Sequence, residues 1–386
     1  MAGSSSQATG GWPAYNSSVH RPAAPSSGGI ATLQDIADAC GVTRATVSRA
    51  LRGSPGVGAA MRARITETAE RLGYRPNRVA QGLRNRRSHL VGLILTNLVN
   101  ASFHTMTEVI QARLDAAGYS TILSVSGGRL DQEERLLSML FERQVDGIVM
   151  LGSDGLIPQS PLVKDAPVPI VHLVRRLDPR PRDTVLARDR EGAYEATAHL
   201  LGLGHTRIAL IVGKPDTHVG NERRAGYLRA LKDAGRKPDR SIIVAGPYEP
   251  QTGTRAVSQL FSQPESPTAL LIANHEAAFG ALPALVERRI DVPKQVSVIV
   301  YEDAPWFACW GPPLTVVDNQ PAALANAAVS LLLSRLHHQP EAGRPDAAVR
   351  PHPGSKLIVR SSCASPPVAT ALAPRVTIGA GGTELG

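Results

Sequence analysis

The sequence predicts a two-part molecule. An N-terminal all-α helix-turn-helix head comes first, followed by an α/β core of two doubly wound parallel-sheet subdomains. Three observations carry this. Residues 1–88 hold 12 Arg and no Lys against Asp35, Asp38, Glu67 and Glu70, a balance of +8, while the rest of the 386-residue chain carries +1. Residues 32–52, TLQDIADACGVTRATVSRALR, show two short helical patterns joined at a glycine. From Leu90 onward, short apolar runs alternate with amphipathic helical patterns, as parallel sheets covered on both faces require.

Composition sets the class. A hydrophobic fraction of 42% is that of a soluble globular protein, and the length allows two or three domains with sizeable cores. No apolar run approaches the roughly 18 to 20 residues needed to span a bilayer. Residues 1–29 are rich in Ser, Gly, Pro and Ala. They read as a disordered tail without the charged start and apolar block of a secretory signal, which points to the cytoplasm. Cys40, Cys309 and Cys363 are odd in number and widely spaced. They suit neither a disulfide framework nor a zinc site and read as small buried hydrophobes. The basic block beside a balanced body is the electrostatic footprint of a protein that meets a polyanion. A merely solvated surface would spread its cations along the whole chain.

In the head, residues 30–75, Thr32 with Asp35 three positions on forms a capping-box start. Leu33, Ile36, Ala37 and Cys40 keep helical spacing on one face. Gly41 stands where the chain must turn, since glycine tolerates positive φ. Val42 plugs the angle between the helices, and Thr43 caps the second. At about 100° per residue, Val47, Ala50 and Leu51 fall in one arc, with Arg44, Ala45, Ser48, Arg49 and Arg52 opposite. The outer arc carries forked donors and small hydroxyls, which suit phosphates and base edges. Spacing does not divide these side chains between bases and phosphates. A third helix runs from about Ala59 to Leu72, with Ile65, Ala69 and Leu72 inward, Gly58 as a weak cap and Gly73 at its end.

The connector, residues 76–88, contains PNRVAQGLRNRR. Pro76 and Asn77 can start a helix reaching Leu83, but one so short, with Gly82 inside it, is unstable alone in water. It folds when docked on DNA or on a second copy, or else it is a flexible basic linker with Leu83 packed on the body. Spacing leaves both open.

The core follows. Expected strands are 90–95, 119–125, 145–151, 168–174, 207–212, 242–245, 268–273 and 296–301, with helices at 105–117, 132–143, 192–201, 222–234, 253–261 and 276–289. Two successive subdomains account for this number of segments, and their interface is a cleft, a usual place for a small ligand. The nucleotide-binding, metalloprotease and serine-hydrolase motifs that would mark an enzyme are missing, so no catalytic residues, metal or cofactor are expected. His337 and His338 read as solvated residues at a polar helix end.

These stretches resemble the LacI/GalR family of bacterial transcription regulators. TLQDIADACGVTRATVSRALRG, RLGYRPNRVAQGLR and LVGLIL match its head, hinge and first core strand in order and spacing. Further matches are DGIVML, HLLGLGHTRIALIVG, ERRAGYLRAL, TALLIANHEAAFGAL, VPKQVSVIVYED and PPLTVVDNQP, together covering about residues 31–362. The resemblance implies a periplasmic-binding-protein-like core and a sequence-specific repressor that binds a pseudo-palindromic operator as a homodimer. Thr32, Leu33, Thr43, Arg44, Ala45, Thr46, Ser48 and Arg49 fall on the family's DNA-contact positions. Arg52 stands where Asn is usual and adds a phosphate contact. In the hinge, Asn77, Arg78, Leu83 and Arg84 are implied contacts, with Leu83 the wedge in the minor groove.

The resemblance also implies a small-molecule effector, a sugar or another metabolite, in the cleft. Its positions fall on Phe103, Val174, Arg188, Asn221, Asn274, Glu302 and Gln320. Several depart from the family's pattern. Val174 and Arg188 stand in place of Asp, Asn221 in place of a ligand-clamping Arg, His275 in place of Asp after the retained Asn274, and Glu302 in place of Asp. Losing a forked Arg and an Asp removes directional partners that a buried polar ligand needs, which speaks against a typical hexose. The implied lobes are 89–187 with 319–343, and 188–318 with 344–362, ahead of a disordered tail at 363–386. A solute-binding protein of the same core fold is the alternative. Neither reading involves a membrane.

Overall fold

In a computed structural model, the structure describes residues 31–74, 87–152, 160–175, 183–215, 217–337, 349–351 and 354–367. The chain divides into two compact units, Met1–Arg84 and Asn85–Gly386. The hinge positions Asn77, Arg78, Leu83 and Arg84 lie outside the described residues.

The head is built on its caps. Helix α1 (Leu33–Cys40) opens with a reciprocal capping box: the Asp35 carboxylate accepts from the Thr32 backbone N–H at 2.7 Å, and the Thr32 hydroxyl accepts from the Asp35 N–H. Gly41 ends the helix with φ 63°, the left-handed turn that glycine supplies without steric cost. The Thr43 hydroxyl accepts from the Thr46 N–H at 3.2 Å and starts α2 (Arg44–Leu51). Helix α3 (Ala59–Arg71) starts at Gly58 with no side-chain cap. Ile36, Ala37, Cys40, Val47, Ala50, Ile65 and Ala69 form the core between the three helices. Burying Ile36, Val47 and Ile65 contributes about 1.5–3 kcal/mol each. Cys40 is a buried packing residue, as expected, and its sulfur lies 3.4 Å from the Thr68 hydroxyl on α3, whereas Cys309 is exposed, contrary to that expectation.

The second unit has two lobes. Lobe A holds β1 (Leu90–Leu95), β2 (Ser120–Val125), β3 (Gly147–Leu151), β4 (Ile170–Leu173), β5 (Thr184–Leu186) and β11 (Val349–Pro351), in the order β11-β5-β4-β3-β1-β2. Lobe B holds β6 (Ile208–Val212), β7 (Ile243–Ala245), β8 (Ala269–Ile272), β9 (Ser297–Tyr301), β10 (Thr315–Asp318) and β12 (Lys356–Ile358), in the order β12-β10-β9-β8-β6-β7. Every described pairing is parallel except β10 with β12.

Helices α4 (Ala101–Ala116), α5 (Leu130–Glu142) and α6 (Pro161–Lys164) belong to lobe A. Helices α7 (Asp189–Gly202), α8 (His218–Asp233), α9 (Pro250–Leu260), α10 (His275–Glu287) and α11 (Pro305–Cys309) belong to lobe B, and α12 (Pro321–His337) returns to lobe A. Strand β1 shows why its run is apolar throughout. Val91, Leu93 and Leu95 pack on α4 and α12, while Ile94 packs on α5 from the other face. In lobe B, α9 and α10 touch backbone to backbone at Gly253 and Gly280, where a Cβ would fall 1.8 Å from the Ala277 and Pro250 carbonyls. This contact fixes α10, whose first turn faces the cleft.

Two boundaries differ from the sequence expectation. The resemblance places residues 344–362 in the second lobe, but Val349–Pro351 pairs with Thr184–Leu186 in lobe A. The open edge of the short strand β5 there finds main-chain partners. Residues 363–367, expected within a disordered tail, pack on lobe B instead. The Ala364 carbonyl accepts from the Ser297 hydroxyl at 3.0 Å and lies 2.9 Å from Nε2 of His205. Two buried polar side chains thus find their partner in that segment.

Candidate nucleic-acid interface and interlobe cleft

On α2 the two arcs separate as the spacing predicts. Val47 and Ala50 are buried and Leu51 partly so, while Arg44, Ala45, Arg49 and Arg52 are exposed and Ser48 is half-buried. Thr32 and Thr43 are exposed at the starts of their helices, with Thr46 beside Thr43 and their hydroxyls 3.0 Å apart. Leu33 is half-buried against the head's core. Among the described residues Arg44 and Arg49 make no ion pair, so their guanidinium groups are available to an anion. Arg52 differs, because its Nε donates to the Ser48 carbonyl at 3.0 Å. It neutralises the negative end of α2 and holds its guanidinium at the helix edge. The Asp35 carboxyl is held below its ordinary value by the Thr32 backbone N–H and then by the Thr32 hydroxyl. The capping box therefore stays intact at neutral pH.

The cleft positions do not form one cluster. Glu302 and Asn274 lie buried at the cleft end of lobe B. The Asn274 side chain caps α10 by accepting from the Ala277 N–H at 2.9 Å. Phe103 is buried in the core of lobe A, at the start of α4. Arg188 and Gln320 sit where the chain crosses between lobes: Ser355 donates to the Arg188 carbonyl at 3.1 Å, and the Gln320 amide bonds the Gly354 carbonyl. Asn221 is exposed in the first turn of α8. Val174, Glu302 and Gln320 adopt φ of 69°, 71° and 53°. Left-handed backbone in non-glycine residues, above all a β-branched one, costs about 1–3 kcal/mol each and concentrates at functional sites.

The guanidinium that the sequence reading takes as lost at Asn221 is supplied two residues on. Arg223 is buried on α8, with Nε donating to Asp189 at 2.7 Å, Nη1 donating to the Ala273 carbonyl and Nη2 3.9 Å from Glu302. Its plane lies over the Tyr301 ring, 4.0 Å from the centroid. Burial works against its charge, but Asp189, Tyr301 and Glu302 together hold its pKa above the ordinary arginine value. A signal was present in the sequence. Arg223 falls on the same helical face as Gly220, Gly226, Tyr227 and Ala230, all buried. A charge on an apolar stripe is a buried ion.

Beside this pair lies a second one. Nδ1 of His275 is 2.7 Å from Glu302 and 3.5 Å from Glu276. Asn100, the N-cap of α4 in lobe A, reaches across to it. Its Nδ2 donates to Glu276 at 3.0 Å and lies 3.2 Å from Nδ1 of His275. A second crossing joins Arg175 of lobe A to the Tyr248 ring of lobe B, 5.6 Å from the centroid. The lobes therefore meet through named polar contacts at two places.

Comparison with known proteins agrees with both units. A family model described as bacterial regulatory proteins, lacI family, matches residues 32–77. A second, described as a periplasmic binding protein-like domain, matches residues 197–363. The transcriptional repressor PurR of Aliivibrio salmonicida is 30% identical over 316 residues, covering 80% of this chain and 94% of PurR. The chain belongs to the LacI family. Catabolite control protein A of Priestia megaterium, also 30% identical, matches over 80% of this chain and 93% of its own. Among solved LacI-family structures, the lac repressor dimer bound to operator and the anti-inducer ONPF superimposes with a TM-score of 0.77 at 26% identity, covering 87% of this chain and 100% of that one. The cellobiose complex of the regulator CelR superimposes with 0.65 at 26% identity, covering 86% and 99%. These relatives are regulators, not enzymes. Among the described residues of this LacI-family chain, no helix is long and apolar enough to cross a membrane.

Proposed function

We propose that this chain is a cytoplasmic transcriptional repressor that binds a pseudo-palindromic operator as a homodimer and is modulated through its interlobe cleft. One observation carries the reading: α2 presents Arg44 and Arg49, exposed and without ion pairs among the described residues, on the face opposite its buried core residues. A helix so arranged suits the major groove, with guanidinium forks for guanine edges and phosphates. Thr32, Leu33, Thr43, Ala45, Thr46 and Ser48 complete the contact set, and Arg52 adds a phosphate contact. Asn77, Arg78, Leu83 and Arg84 supply the hinge contacts. A solute-binding protein would have no use for this basic head.

Two exposed apolar faces support a homodimer. In lobe B, Trp306, 42% exposed, stacks on Phe279 and meets the buried Phe307 edge-on, beside Val286, which is 62% exposed. In lobe A, the edge strand β2 exposes Leu123 and Val125. Apolar area of this kind marks a surface that another protein covers. Within the cleft, Asn274, Glu302, Arg188, Gln320, Val174, Phe103 and Asn221 are the positions proposed to meet an effector.

The deciding experiment is genomic footprinting followed by salt titration of the recovered site. A regulator gives a sequence-specific footprint and an affinity that falls steeply with salt. Binding no tighter than to random DNA would refute the reading.

A further inference from the structure

Lobe B holds a cavity apart from the cluster around Arg223, between the first half of α8 and the edge strand β7. Its volume is about 160 Å³. Val212 of β6, Ile243 and Ala245 of β7, and Pro215 form apolar walls, and Arg224 and Arg240 supply its charged lining.

The helix creates the gap. Tyr227 and Leu231 of α8 pack on the sheet face that carries Leu210 and Val212. The register partners of those two on β7 are Ile243 and Ala245. Followed back towards the start of the helix, at the spacing that keeps to one face, the stripe of Leu231 and Tyr227 continues to Arg224 and Gly220. Gly220 has no side chain to offer and Arg224 brings an ion. The sheet therefore keeps its apolar face at the point where the helix turns a cation towards it.

That cation lacks a counter-ion. Nε of Arg224 is buried without a hydrogen-bond partner. Among the described residues neither Arg224 nor Arg240 forms an ion pair. The carboxylates nearest in sequence are taken. Glu222 is held by Arg190 at 2.7 Å, Asp239 by Arg207 at 2.6 Å, and Asp233 faces Arg229 at 3.7 Å. No carboxylate of the described residues lines the cavity. Burying a charged donor without a partner is unfavourable, and two cations on one cavity add mutual repulsion. An anion removes both costs.

We propose that this cavity binds a small carboxylate with a compact apolar body, at a site separate from the effector positions of the cleft. The guanidinium fork of Arg224 takes the carboxylate oxygens, and Arg240 adds a second charge. The walls select the body. An apolar cavity of about 150 Å³ accommodates a benzene ring, so a single ring or a short branched chain fills this one. Inorganic phosphate would match the cations but leave the apolar walls bare. A neutral hydrocarbon would cover the walls but leave the buried Nε unpaired.

The site is independent of the regulator reading, and its test uses the full chain with benzoate as the probe. Calorimetry gives the affinity, and the Nε–H resonance of Arg224 gives the place. The expected result is saturable binding that shifts this resonance. Benzamide has the shape without the charge, and inorganic phosphate has the charge without the ring. Each should bind at least about tenfold more weakly than benzoate. Arg224→Gln should weaken benzoate by about tenfold or more. Ala245→Leu fills the cavity while keeping both arginines, and should remove benzoate binding. Circular dichroism verifies that both variants are folded. No saturation up to about 10 mM benzoate, benzamide or phosphate binding as well as benzoate, or benzoate affinity unchanged in either folded variant would overturn the proposal.

Discussion

Nε of Arg223 lies 2.7 Å from Oδ1 of Asp189, and the two side chains are only 3% and 2% exposed. The pair joins α7 to α8 at the cleft and orders the carboxylates behind it. A buried pair of this kind is weak evidence of net stability, because desolvation offsets much of the attraction. Removing one partner is another matter.

Asp189→Ala leaves a buried guanidinium with only the more distant Glu302 as counter-ion. We expect a loss of about 3–5 kcal/mol, read as a lower denaturant midpoint for the second unit at an unchanged slope. Asp189→Leu combined with Arg223→Met removes both charges and should recover much of the loss. A double variant no better than the single would mean that the pair itself, not the stranded charge, carries the stability.

Arg44→Ala and Arg49→Ala separate base from phosphate contacts. Loss of a phosphate contact weakens binding evenly across sequences and reduces the magnitude of the log–log salt slope by about 0.9. Loss of a base contact costs about 1–3 kcal/mol and relaxes preference at one operator position. Binding-site selection at two salt concentrations distinguishes them. If neither variant alters affinity or preference, the outer face of α2 does not meet DNA.

Leu83→Ala tests the hinge. An apolar wedge works only where a base step opens to receive it. Specific binding should therefore fall far more than non-specific binding in parallel titrations. Equal losses would reject the wedge.

His205 gives a pH dependence of folding stability. Its ring lies 2.9 Å from the Thr268 hydroxyl, the Ser297 hydroxyl and the Ala364 carbonyl. Burial lowers its pKa below 6.5, with the Ala364 carbonyl opposing and His199 assisting. A histidine held neutral in the folded state stabilises it above the unfolded value, and this contribution is lost as pH falls below 6.5 towards the folded pKa. Denaturant midpoints measured across the acid range should fall on that side. His205→Gln should flatten the slope while lowering stability at neutral pH.

The residue pattern revealed most where one force acted alone. Strand β1 was legible because every residue from Val91 to Leu95 except Gly92 is a large buried hydrophobe. The caps at Thr32 and Thr43 were legible because a hydroxyl and a backbone donor three residues on leave little choice. Strands β5, β10, β11 and β12 were not recognised. Each has three or four residues, too few to show a period, and is fixed by neighbours distant in sequence. In the cleft, the resemblance pointed to Glu302 and Asn274, which lie buried there, and to Asn221 rather than the buried Arg223. The interlobe contact at Asn100 was invisible, since its partners His275 and Glu276 lie about 175 residues away.

The last helix, α12, packs Leu324, Ala328 and Leu331 against β1 and α4 of lobe A, some 230 residues earlier in the chain. Lobe B, by contrast, takes β6 to β10 and their helices from one continuous run. During synthesis the chain emerges N-terminus first, and domains generally fold as units. Although lobe A is begun first, its sheet waits with one face covered only in part, by α4, while nearly all of lobe B is made. The lobe that is started earlier is completed later, and a nascent chain halted between β10 and α12 would expose the apolar face of β1 to chaperones and proteases.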